Sequence, residues 1–242
     1  MRKLAQKMWL LLVRNKKERK KWKRIFLLQK EKNKNNNEII IIDADGKRKN
    51  VFFVEGIDFN FTGRNSKIEI DASCRFSYVS IDVGDNSFVK IGRNSSNHNL
   101  QVTRMNNARL EIGDGFSCSG CRICLHDEAH NFVTIGQDCM FSYDIVIWPS
   151  DGHTLFDINT NEVLNRPKRG IKIGNHVWLG RHSSILKNVD IADNVMVGAC
   201  SVVNKDIEES NVVVAGTPAK IVKSNVNWRR ENTDYFETGF VA

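Results

Sequence analysis

The residues best able to do chemistry gather in three places. Asp151-Gly152-His153 opens a long polar stretch that ends at Gly170. The run "LHDEAH" places His126 and His130 around Asp127 and Glu128. The run "CSGCRIC" sets Cys118, Cys121 and Cys124 three apart. Histidine exchanges a proton near neutral pH, so a loop histidine can act as acid or base, although an exposed one is by default merely polar. The His126 run lacks the zinc-protease pattern, which needs a helix and a glutamate directly after the first histidine. Zinc on the cysteines needs a fourth ligand at suitable spacing. Ile112, Cys118 and Cys124 share one six-residue phase, which predicts two of these thiols as inward corner residues. No metal site is expected.

Such residues need a scaffold, and the sequence repeats itself. An aliphatic, any residue, an aliphatic and then Gly or Asp recur as "IEID", "VKIG", "LEIG", "VTIG" and "IKIG". The second aliphatic falls at Ile70, Ile91, Ile112, Ile135 and Ile173, with spacings of 21, 21, 23 and 38. Ile191 follows 18 residues later. From Ile173 onward Ile173, Leu179, Ile185, Ile191, Val197 and Val203 are each six apart. Four residues after the first five stand Val177, Ser183, Val189, Val195 and Ser201; Cys74, Ser95, Cys139 and the larger Phe116 hold the same place earlier.

A hexad makes a short strand and a turn, and three hexads close one triangular coil. Aliphatics at one phase point inward, and small residues at the second fit the corners. No coil buries its apolar side alone, so several must stack. The longer spacings are then 18-residue coils carrying insertions. The largest insertion contains Asp151-Gly152-His153 and is expected to leave the prism as an external loop, where functional residues concentrate. This predicts an all-β solenoid rather than a β-sandwich.

Charge is unevenly spread over the 242 residues. Residues 1–37 hold 14 Lys/Arg against 2 Asp/Glu, and the rest holds 22 against 26. The basic character therefore belongs to the N-terminus, and the body is not expected to bind nucleic acid. Leu4, Met8, Leu11 and Leu12 fit one helical face, which predicts a basic amphipathic arm that lies on an anionic membrane or packs on a partner. No stretch approaches the ~20 apolar residues of a membrane span. The expectation is a cytoplasmic protein with reduced cysteines, peripheral at the inner membrane face through its arm.

The run from Gly174 to Val222, with "VWLG" and "AGTPAK" in order, resembles hexapeptide-repeat acyltransferases, in particular the galactoside, maltose, xenobiotic and capsular polysaccharide O-acetyltransferase branch. The resemblance covers roughly residues 68–223. It implies a left-handed parallel β-helix, a homotrimer with active sites between neighbouring prisms, and acetyl-CoA as the acyl donor.

It also implies site residues. His153 takes the place of the general base that removes a proton from the acceptor hydroxyl. Trp178 lines the donor groove beside it, as both a catalytic and a donor-binding residue. Gly180, Arg181 and Ala199 fall where backbone groups meet the pantetheine arm, with N–H groups near Gly180 and Arg181 as oxyanion donors. Lys205, Lys220 and Lys223 fall where cations meet the phosphates. Asn204, where a threonine is common, and one extra residue before "AGTP" depart from the pattern. Asp127 takes the place of an acceptor-binding aspartate. Asp151 either caps the Asp-Gly turn or orients the imidazole on the acceptor side.

The expected organisation is an arm and linker at 1–37, a cap and first coil at 38–67, a β-helix at 68–217 with an external loop at about 151–170, and a tail at 218–242. The expected reaction is acetyl transfer from acetyl-CoA to a hydroxyl of a glycan, a surface polysaccharide or its precursor. Alternatives are N-acetylation of a nucleotide-linked amino sugar, a γ-carbonic-anhydrase-like metalloenzyme using His126, His130 and His153, and a non-enzymatic scaffold.

Overall fold

A six-residue repeat leaves two or three residues for a strand and the rest for a turn, and the chain follows that division. In the computed structural model, Ile171–Ile173, Trp178–Leu179 and Ser184–Leu186 form one coil. Asp190–Ile191, Met196–Val197 and Val202–Val203 form the next. Ile173 pairs with Ile191, Leu179 with Val197 and Ile185 with Val203, all in parallel. All six are at most 3% exposed, as are the corner residues Val177, Ser183, Val189, Val195 and Ser201. Both inward phases of the repeat are therefore dry. Each buried aliphatic contributes about 1.5–3 kcal/mol, and only stacking makes that burial available.

The structure describes residues 35–128 and 131–233, with Glu18, Lys20, Trp22 and Lys23. Most of the predicted basic arm, and His130, lie outside the described residues. The strands form three sheets, the faces of a left-handed parallel β-helix. Face 1 runs from Glu38–Ile42 up to Asp190–Ile191, and face 2 from Arg75–Ser77 up to Val212–Gly216. Face 3 runs from Ile57–Phe61 up to Val202–Val203. From Lys67–Asp71 upward each coil visits face 1, then 2, then 3. At two of the six sheet ends the outermost pair is antiparallel. Arg48–Val51 covers Glu38–Ile42 at the lower end, and Ala219–Ser224 covers Val212–Gly216 at the upper end. Unpaired edges are thus kept short. Residues 218–242 accordingly begin with a strand.

Tight corners need left-handed backbone, which asparagine tolerates better than most residues. Asn65, Asn86 and Asn107 take φ of 58°, 46° and 48° at successive corners between faces 3 and 1. Their amides form a ladder: Asn65 Nδ2 donates to Asn86 Oδ1 (3.5 Å), Asn86 to Asn107 (3.0 Å) and Asn107 to Asp127 Oδ1 (3.4 Å).

The expected phase fails at Cys124. Ile123 pairs with Val102 below and Ile147 above, so five residues, not six, separate Cys118 from the next inward position. Cys118 and Cys121 belong to the core, whereas Cys124 faces outward beneath His126, with Sγ 3.5 Å from Nε2. Burial pushes the Cys118 thiol up to about 11 and the Cys139 thiol up to about 12. Both stay protonated at neutral pH and behave as apolar filling.

Candidate active site

The excursion leaves the prism after the face 3 strand Ile145–Trp148 and returns at Ile171 on face 1. It therefore stands on the corner between faces 3 and 1. Its first turn is built from short-range polar contacts. Gly152 N–H donates to Ser150 Oγ (2.9 Å). Asn165, near the end of the loop, donates from Nδ2 to Asp151 Oδ2 and to the His153 carbonyl, both at 2.8 Å. Lys187, on the next coil, pairs with Asp151 and donates to the Asn165 carbonyl at 2.9 Å. Asn165 and Lys187 thus staple both ends of the loop to the prism, and the exposed His153 rides on that staple.

Asp151 is consumed by the staple, and Ser150 supplies the cap on the turn. Partial burial alone pushes Asp151 up. The hydrogen bonds from Lys187 and Asn165 and the Lys187 charge outweigh it and hold the carboxyl below its ordinary value. A carboxylate with a depressed folded value contributes stability above its unfolded value and loses it as pH falls through the folded one. Acidification below the ordinary carboxylate range should therefore free the loop before the prism melts. Limited proteolysis would then cut within residues 154–164, and Lys187→Met should move that onset to higher pH.

The floor under the turn is His126, 9% exposed and stacked on Trp148 with centroids 6.0 Å apart and planes at 22°. Gly152 has φ of +70°, and a Cβ there would lie 2.7 Å from His126 Cε1. The left-handed backbone costs an L-residue about 1–2 kcal/mol, and the stacked imidazole cannot swing aside. Gly152→Ala should displace the His153 backbone, and any turnover that uses His153 should fall by roughly 10- to 100-fold, since misplacement of about 1 Å costs on that order. The melting temperature should change little, because the loop lies outside the core.

The predicted residues sort into two groups. Asp127, Asp151, His153 and Lys205 lie along the corner between faces 3 and 1, after the strands Cys121–Cys124, Ile145–Trp148 and Val202–Val203. Asp127 is exposed and ends the asparagine ladder. Trp178 faces outward on face 2. Gly180, Arg181 and Ala199 follow it at the corner between faces 2 and 3, while Lys220 and Lys223 are exposed on the strand that caps face 2. In a triangular prism the corner bearing His153 is opposite the face bearing Trp178, so one chain does not bring the two together.

Gly180 donates to the Val197 carbonyl (2.8 Å) and accepts from Ser183 N–H (3.2 Å). With both its backbone groups engaged inside the prism, Gly180 is a poor oxyanion donor. Arg181 and Ala199 are exposed at that corner, as are their neighbours His182 and Cys200. A cavity of about 840 Å³ is lined by Trp178 and Met196 on face 2 and by residues 227–229 and 231–233 of the tail. A second groove, about 910 Å³, runs along face 1 past Lys90, Glu111, Lys172 and Asp190 and includes none of the predicted residues.

Sequence reasoning missed Asn165 and Lys187, which carry no motif. It also missed Trp228, whose only signal was a tryptophan in the run "NVNWRRE".

Residues 170–205 match the bacterial transferase hexapeptide (six repeats) family. The chain is 35% identical over 170 residues to the polysialic acid O-acetyltransferase of Neisseria meningitidis, covering 70% of this chain and 78% of that protein. It is 38% identical over 122 residues to the polysialic acid O-acetyltransferase of Escherichia coli O1:K1 / APEC, covering 50% of this chain. That match spans only about a third, 36%, of the E. coli protein's own length. Among solved structures, the polysialic-acid-specific acetyltransferase NeuO superposes with a TM-score of 0.68 at 28% identity, covering 82% of this chain and 87% of that one. The polysialic acid O-acetyltransferase OatWY superposes with a TM-score of 0.56 at 29% identity, covering 76% and 98%. Among the described residues no helix is long and apolar enough to cross a membrane. Hexads, prism and relatives agree: the chain belongs to the hexapeptide-repeat acyltransferases, with the polysialic acid O-acetyltransferases among its relatives.

Proposed function

We propose that the protein transfers the acetyl group of acetyl-CoA to a hydroxyl of an extended surface glycan, with His153 as general base. The observation that carries this reading is the stapled loop. It holds an exposed histidine clear of the prism, at the place the family resemblance gives to the base, and a pure scaffold has no use for such an arrangement. A glycan hydroxyl is a weak nucleophile at neutral pH. The His153 imidazole would accept its proton as the oxygen attacks the thioester carbonyl carbon. The C–S bond then breaks, and the imidazolium returns the proton to the departing thiolate. Proton removal by a placed base contributes roughly 10²–10⁴-fold.

The opposed placement of His153 and Trp178 supports a homotrimer in which the loop of one copy reaches the Trp178 face of the next. The loop itself favours this, because Leu155, Phe156, Ile158 and Leu164 are 49–84% exposed on the isolated chain. Apolar side chains exposed along one loop suit a protein surface better than water. Arg181, Ala199, Lys205, Lys220 and Lys223 are the proposed donor contacts, and Asp127 the acceptor contact. For residues 1–37 the proposal is peripheral contact with anionic membrane at the cytoplasmic face, resting on their charge and apolar spacing alone.

The test is coenzyme A release from acetyl-CoA over a panel of glycans, with sedimentation to count subunits. Hydroxylamine-labile product establishes an ester, and a stable amide would move the reading to an amino-sugar acceptor. Absence of turnover and of coenzyme A binding would end the acetyltransferase reading. Binding of residues 1–37 to anionic liposomes should be salt-sensitive, and its absence would remove the membrane contact.

A further inference from the structure

After the capping strand Ala219–Ser224 the chain turns back down the prism along the corner between faces 1 and 2. Trp228 is only 6% exposed although it lies in the run "NVNWRRE". Its indole stacks on His176, with centroids 4.1 Å apart and planes at 7°. The two residues are also joined edge to edge. Trp228 Nε1 donates to the His176 carbonyl at 2.9 Å, and His176 Nε2 lies 3.1 Å from the Trp228 carbonyl. Asp138 stands one coil below, with Oδ2 2.7 Å from His176 Nδ1. Its other oxygen accepts from Arg230 at 2.9 and 3.0 Å, and Arg230 reaches a further coil down to Ser117 Oγ at 2.6 Å. The strap is thus fastened across three successive coils.

The His176 and Asp138 fastenings lie at the corner, and Ser117 opens the adjoining face 2 strand Ser117–Cys118. The other side of the strap faces the 840 Å³ cavity, whose floor is Trp178 and Met196. Trp228 belongs to both sides, since its ring is 6.0 Å from Trp178 at 54°. A strap that served only to seal the upper end of the prism would press onto face 2 and leave no such space. The Trp178 and Trp228 rings and Met196, with the amides of Asn227 and Asn232 and the charges of Arg229 and Glu231 in the same lining, fit a narrow chain that is part methylene and part amide.

We propose that the strap is the outer wall of the acyl-donor groove, and that Trp228 is a positioning residue that fixes Trp178 and the wall around the pantetheine arm. The proposal rests on the donor-side reading of Trp178 given above. It adds residues 227–230 to the groove, and it makes His176 and Asp138 the anchor of that wall rather than participants in the reaction.

The test uses the full chain, with coenzyme A as the probe in calorimetry and acetyl-CoA in steady-state kinetics. Trp228→Ala should weaken coenzyme A binding by about tenfold or more, the usual loss when a buried interfacial tryptophan is truncated. The KM for acetyl-CoA should rise in step while the KM for the glycan stays unchanged. Trp228→Phe keeps a stacking ring and should recover most of the affinity. If Trp228→Ala fails to fold, Arg230→Ala leaves the indole in place, releases the strap from Asp138 and should still weaken coenzyme A binding several-fold. A lower melting temperature with unchanged coenzyme A affinity in these variants would overturn the proposal, leaving the strap as a structural clasp. If the wild-type protein binds no coenzyme A, the donor reading itself fails; if the wild type binds and the variants bind equally, only the wall assignment does.

Discussion

His153→Ala should lower turnover by roughly 10²–10⁴-fold, the range lost with a general base, while coenzyme A binding is retained. The expectation follows from position. His153 is exposed on a loop held by Asn165 and Lys187, neither of which touches its side chain. Removal of the imidazole leaves the staple, the turn and the prism intact, so the melting temperature should be unchanged. His153→Gln should be as inactive as alanine, because an amide fills similar space without accepting a proton. Wild-type turnover in both variants would exclude His153 as the base. The other histidines are then the candidates, but His176 is committed to Trp228 and Asp138 and His126 lies buried beneath Gly152.

The largest effect on stability should come from Phe116→Ala, at about 3–5 kcal/mol. Phe116 holds a corner position that takes Cys74, Ser95, Cys139, Val177 and Val195 on other coils. It fits because its neighbours in the stack are small: Ser95 lies one coil below and Cys139 one coil above. The ring fills the room they leave and meets Phe141 edge to face, with centroids 4.9 Å apart at 85°. Both rings are at most 1% exposed. Truncation would open a void between coils that a hydrogen-bonded ladder cannot close by local collapse. Denaturant unfolding should show the loss. A change below about 1 kcal/mol would mean that the lower coils repack around the hole.

Legibility in the sequence tracked the regularity of the physics. From Ile173 to Val203 each coil is three bare hexads, and every inward residue could be assigned by counting. Lower down, the coils carry three extra residues, the strands lengthen, and a bulge falls between Ile81 and Val83. Counting by sixes therefore slipped at Cys124, where one residue is lost between Cys118 and Ile123. The loop was visible as a gap in the pattern, and His153 as the histidine at its start. The staple was not visible, because Lys187 belongs to a different coil and Asn165 to an otherwise featureless polar run. Trp228 was invisible for a related reason. The hexads stop at Val203, and its partner His176 precedes it by 52 residues. Contacts between positions that share no phase leave no periodic trace.

The parallel stacking of the coils gives the molecule a built-in ruler. Each coil touches only the one above and the one below, so the surroundings of His153 and Trp178 depend on their immediate neighbours and not on the total number of turns. The three lowest turns carry none of the residues assigned to the reaction. Adding or removing one of them would shift the lower end by roughly 4.8 Å, the spacing of paired strands, and leave the histidine, the staple and the strap where they are. The lower prism is therefore free to vary in reach, and a chain that acts on a long polymer, or that stands off from a surface by a set distance, could adjust that distance in whole turns without retuning its reaction.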